Sequence, residues 1–149
     1  MNTSGAERKN SQLKFVISEL VKATPDQQVL DWVAAQSALD LYLSAVTIGE
    51  VTRGAERLPD GRRRDALIHW IDEDLQQQFE GRILPFDRHA ARVWGRVMGE
   101  ADRAGRPRAA ADAQIAATAI LHGLDLVTRN KADFRYMPVT IVDPWNTGS

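Results

Sequence analysis

The chain contains no cysteine. Disulfides and thiolate metal sites are therefore excluded, and a reducing, cytoplasmic setting is expected. Neither sign of charge is in excess: 19 Lys and Arg face 20 Asp and Glu, for a net charge of −1. A generally basic coat for nucleic acid is excluded, so any surface for a polyanion must be local. Histidine is scarce, with His69, His89 and His122 at unrelated spacings. None forms a pair of metal-ligand spacing, and all three are expected at the surface or as satisfied core residues. No run reaches the ~18 apolar residues of a membrane span, so no membrane association is expected. The opening MNTSGAERKNSQ lacks the apolar segment of a secretion signal. Residues 1–12 are expected to be disordered, ahead of a single domain over 13–149.

What is present suits one domain. The 149 residues are 44% apolar, enough for one sizeable core. Leu13 to Val21 is a short apolar stretch open to strand, helix or one passing into the other. Thr24-Pro25-Asp26 is a helix start, followed by the stripe Val29, Leu30 and Val33. Leu41 to Leu43 is a strand candidate ending near Ser44. A helix follows from about Thr47 to Arg57, with Ile48, Val51 and Ala55 facing the core. After the Pro59-Asp60-Gly61 turn, Leu67, Trp70, Ile71, Leu75 and Phe79 mark a long helix that Gly81 stops. Arg82 to Leu84 is a short strand. Asp87 caps a helix whose apolar face is Ala90, Val93, Trp94, Val97, Met98 and Ala101. Gly105-Arg106-Pro107 breaks the chain. Asp112 opens an alanine-rich helix, and Gly123 closes it as a C-cap. Leu124 to Thr128 and Val139 to Val142 are the last strands. Short strands alternating with helices predict an α/β fold, a parallel sheet covered on both faces in three layers, with helix exceeding strand.

Three carboxylates stand out. Glu50 lies in the second helix, with small Thr47 and Gly54 as neighbours on its face and Arg53 within ion-pairing reach. Asp112 stands at a helix start, where the helix dipole alone favours an acid. Asp133 lies just past a strand end, where it could form a turn with Asn130 and Lys131. Each therefore has an ordinary structural explanation. If the three converge, they need a cation between them. An all-oxygen set of this kind suits Mg²⁺ or Mn²⁺, which can activate a water against a phosphodiester. Arg129 and Asn130 could then hold the phosphate. The run Arg62, Arg63 and Arg64 is a solvated face or a phosphate contact. Arg103, Arg106 and Arg108 are, on charge alone, candidates for the path of a polyanion such as a nucleic acid.

LYLSAVTIGEVTRGAERL (41–58), ADAQIAATAILHGLDLVTRNKADF (111–134) and VTIVDPW (139–145) together resemble the PIN-domain toxins, the VapC and FitB ribonucleases of toxin–antitoxin pairs. VISELVKATPDQQVLDWV (16–33) resembles the family's first helices. The likeness implies an α/β/α sandwich and Mg²⁺-dependent cleavage of RNA by a metal-activated water. It places the family's helical Glu on Glu50 and the Asp of the alanine-rich helix on Asp112. The last acidic position falls at 130–133, where Asn130 stands first and Asp133 is the nearest carboxylate. It also implies an antitoxin partner, whose tail covers the acidic site, and a homodimer. One position departs. Leu13 stands where the family's first metal-ligating Asp is expected, with only Glu7 and Glu19 as nearby acids. Ser11, Gln12 and Lys14 interrupt the first strand. The resemblance therefore leaves open an alternative: a catalytically impaired PIN domain that acts only by binding antitoxin or RNA.

Overall fold

The computed structural model describes residues 15–17, 27–129 and 131–144. Strand β1 (Phe15–Ile17) is followed by α1 (Gln27–Ala35), β2 (Leu41–Ser44) and α2 (Ala45–Glu56). Helix α3 (Arg62–His69) continues through a π turn (Trp70–Leu75) and one further α turn (Gln76–Gln78). Then come β3 (Ile83–Leu84), α4 (Arg88–Ala104), α5 (Ala110–His122), β4 (Asp125–Val127), a 3₁₀ turn (Lys131–Phe134) and β5 (Ile141–Val142). The strands pair in parallel in the order β3-β2-β1-β4-β5. The α/β expectation holds.

Alternation along the strands divides the core in two. Val16, Leu126, Tyr42, Leu84 and Ile141 face one side, against α4, α5 and the segment through Met137 and Val139. Leu41, Leu43, Val127, Ile83 and Val142 face the other, against Trp32, Ile48, Trp70, Leu75 and Phe79. Helix α5 presents Ala113, Ile115, Ala116, Ala117 and Ala119, all buried. Small side chains let its backbone come close to the sheet, and a helix apolar on most faces belongs inside.

Several local features follow the sequence closely. Asp87 accepts the Ala90 N–H at 3.0 Å and caps α4. Gly105 and Gly123 take the left-handed conformation at the ends of α4 and α5. The stretch left open between strand and helix is strand over its described residues 15–17, while Leu13 and the Thr24-Pro25-Asp26 start lie outside the described residues. The last three strands are shorter than expected, at Ile83–Leu84, Asp125–Val127 and Ile141–Val142, and three helical details differ. Helix α2 begins at Ala45 instead of Thr47, because Ser44 caps it by accepting the Val46 N–H at 3.1 Å. Helix α5 begins at Ala110, so Asp112 is its third residue and not its first. The long helix contains a π turn. Ile71, Leu75 and Phe79 are all buried at intervals of four. A regular α-helix would rotate such residues by about 40° per interval, and the wider i→i+5 turn offsets that drift.

Candidate functional site

The strand order reverses at β1: β2 and β3 lie on one side, β4 and β5 on the other. In open parallel sheets, ligands bind outside the carboxyl ends of the strands at such a switch point. Ile17 is level with Leu43 and with Val127, so Ser44 and Thr128 form the next row at that edge. Both are buried although polar, as is Thr47 one turn further on. Thr47 Oγ1 has no hydrogen-bond partner among the described residues.

Two helices meet at this edge. Helix α2 springs directly from Ser44. Its Val46 packs into the core beneath α4 and α5, while Ile48 packs into the opposite core, so its first turns straddle the sheet edge. Helices α2 and α5 touch. Helix α5 packs on β4 and runs into it through Gly123 and Leu124. It is therefore antiparallel to β4, and its first turn, with Asp112, lies toward the carboxyl edge. The 3₁₀ turn carrying Asp133 follows β4 at the same edge and contacts α5. The fold thus places Glu50, Asp112 and Asp133 on three neighbouring elements around one edge. At 1.5 Å per residue, Glu50 stands about 9 Å along α2 from Ser44.

The side chains are less closely gathered than the elements. Glu50 and Asp133 are exposed and Asp112 is half-buried. Among the described residues, no three His, Cys, Asp or Glu side chains stand close enough to hold one metal ion. The donor chemistry nevertheless suits a hard divalent cation. Among the described residues, the side-chain oxygens at this edge are carboxylates and hydroxyls, and Mg²⁺ retains waters and needs only one or two carboxylates from the protein. The ordinary ion pair is not met for Glu50, whereas Asp133 does sit in a turn with Lys131. Glu50 makes no ion pair with Arg53. Lys131 faces Asp143 at 3.9 Å instead of joining Asp133. Asp133 sits in the 3₁₀ turn, Arg129 is exposed, and Asn130 lies outside the described residues. Of the Arg62–Arg64 run, Arg64 is engaged with Glu56 and Asp60, and all three histidines are exposed.

Two carboxyls with displaced titration lie elsewhere. The Ala90 N–H holds Asp87 below its ordinary range; desolvation opposes this, and His89 and His122 help to lower it. Burial raises Asp125, which opens β4 at the opposite end of the sheet. The buried hydroxyls of Ser44, Thr47 and Thr128 were not evident as site residues in the sequence. Their positions near strand ends were legible, but which ends adjoin depends on strand order.

A PIN domain signature spans residues 16–139. The chain is 40% identical over 130 residues to "VapC ribonuclease Y4jK" of Sinorhizobium fredii, covering 87% of this chain and 93% of that protein. It is 35% identical over 131 residues to "Toxin FitB" of Neisseria gonorrhoeae, covering 88% and 94%. Among solved structures, FitAcB from Neisseria gonorrhoeae superposes with a TM-score of 0.80 at 32% identity, over 89% of this chain and 99% of that one. DNA-bound VapBC from Salmonella typhimurium superposes with a TM-score of 0.73 at 27% identity, over 89% and 98%. The sheet order, the edge that carries the acidic helices and these likenesses agree: the chain belongs to the PIN domain family, among the VapC and FitB toxins.

Proposed function

We propose that this chain is a Mg²⁺-dependent endoribonuclease, the toxin of a toxin–antitoxin pair. The observation that carries the proposal is the meeting of α2 and α5 at the switch point, with Glu50 on one and Asp112 on the other. Asp112 supplies one carboxylate from the first turn of α5, a helix fixed by its buried alanine face. Glu50 supplies the second carboxylate and Asp133 an accessory one. The cation, when bound there, polarises a water and offsets charge on the phosphodiester. Arg129 follows β4's end, and its donors, with those of Asn130 next to it in the sequence, would hold and orient the RNA phosphate. The partners proposed are RNA, a cognate antitoxin and a second copy of the chain.

Leu13 favours a second reading, in which the chain binds antitoxin or RNA without cleaving. Calorimetric titration of Mn²⁺ into the parent, Leu13→Asp and Asp112→Asn, beside cleavage of a labelled RNA, separates the two. The nuclease proposal expects the parent to bind Mn²⁺ and cleave RNA, and Asp112→Asn to lose both. Binding and cleavage by Leu13→Asp alone would assign the parent to the impaired class. If neither the parent nor Leu13→Asp binds Mn²⁺ while circular dichroism shows both folded, the acidic edge is not a metal site.

A further inference from the structure

A small cleft lies where the loop entering α5 meets the segment after the 3₁₀ turn. Arg106, Arg108, Tyr136, Met137 and Pro138 line it, with Glu100 of α4 as its acid. Its volume is about 30 Å³, room for a water and not for a base, so a larger ligand must lie on its rim. The rim has an unusual composition. Tyr136 leaves 65% of its surface exposed. It holds φ at +71°, the left-handed region that a bulky residue adopts only at a cost and glycine adopts freely. The guanidinium of Arg106 lies over the Tyr136 ring, 3.9 Å from its centroid. Arg108 donates to the carbonyl of Arg135, fastening this segment to the entry of α5. Among the described residues, none of Arg106, Arg108 and Arg135 forms an ion pair with a carboxylate.

We infer that Tyr136 and Arg106 form a stacking platform for one unpaired nucleotide of single-stranded RNA, with Arg108 and Arg135 beside it for the phosphates. An exposed ring topped by a planar cation is the surface on which a base stacks without regard to sequence. Uncompensated arginines around it attract the backbone. Two arginines against one acid, Glu100, favour a polyanion over a neutral partner. The location agrees. Arg108 precedes Asp112 by four residues at the entry of α5, and Tyr136 follows Asp133 by three, so a strand held here leads toward the acidic edge. The role is positional: the platform sets which phosphodiester reaches that edge. It rests on RNA being the substrate, and it extends that proposal to a site the acidic residues do not include.

The test is fluorescence anisotropy with a fluorescein-labelled single-stranded RNA of about 12 nucleotides, in EDTA to prevent cleavage. Tyr136→Gly removes the ring and relieves the backbone at once, so its melting temperature should not fall below the parent's. Its Kd should rise about tenfold, the effect of losing one stacked base. Tyr136→Phe keeps the ring and should stay within about twofold. Arg106→Gln should weaken binding several-fold and reduce the slope of log Kd against log salt by about 0.7. If the parent binds and Tyr136→Gly binds equally well, the platform is refuted and the RNA proposal survives. If the folded parent does not bind RNA at all, both fall together.

Discussion

Arg82 is the residue whose removal most directly tests how the site's scaffold is held. It lies just before β3 and donates to three backbone carbonyls, those of Ala38, Leu41 and Gln78. Its guanidinium also lies 5.3 Å from the centre of the Phe79 ring. One side chain therefore ties the end of the long helix to the start of β2, the strand that leads into Ser44, α2 and Glu50. Hydrogen bonds from a charged donor contribute about 1.5–3 kcal/mol each when protected. Two of these three are at exposed positions, where water replaces the lost donor, so most of the loss comes from the half-buried Leu41 carbonyl. Discounting the exposed pair gives about 2–3 kcal/mol for Arg82→Ala. For a chain of this size that lowers the melting temperature by about 4–12 °C. Urea denaturation followed by tryptophan fluorescence, with a thermal scan by circular dichroism, measures it. Arg82→Lys should recover little, because a single ammonium cannot reach three carbonyls as a planar fork does. RNA cleavage by Arg82→Ala should fall even below its unfolding temperature, because the strand that sets Glu50 is loosened. A stability change under about 0.5 kcal/mol, the range of ordinary surface substitutions, would refute this account of the clamp.

Two further outcomes follow from buried polar groups. Thr47→Val replaces a buried hydroxyl that has no partner among the described residues by a methyl of the same shape and should raise stability by about 1 kcal/mol in urea titrations; a loss of stability would show that the hydroxyl is bonded. If Thr47 serves the acidic edge, the same variant cleaves RNA more slowly while it is more stable. Asp125→Asn tests the raised carboxyl. Folded Asp125 keeps a proton that the unfolded chain has already released in the window from the ordinary carboxylate value up to the raised one, so stability falls as pH rises through that window. Asp125→Asn should therefore melt higher than the parent at pH 7, with the gain shrinking toward pH 4. Equal gains at both pH values would assign the effect to something other than titration.

The sequence by itself determined the elements and their inward faces. Helix ends were legible because local chemistry sets them: Asp87 caps its own helix, and Gly105 and Gly123 relieve a left-handed turn that few other residues tolerate. The α/β class was legible in the alternation of strands with helices, and the family in the motifs around Glu50 and Asp112. The tertiary structure decided what those local signals cannot carry. Strand order is a matter of pairing between segments far apart in the chain, and it alone puts the switch point between β1 and β4. The same holds for α2 straddling the sheet edge, for the buried row of Ser44, Thr47 and Thr128, and for Arg82 reaching back to Ala38 and Leu41. Tyr136 gave no signal in sequence. Its backbone angle and its place under Arg106 arise only when the segment after Phe134 closes onto the entry of α5, because long-range contact, and not local propensity, holds a tyrosine in a left-handed turn.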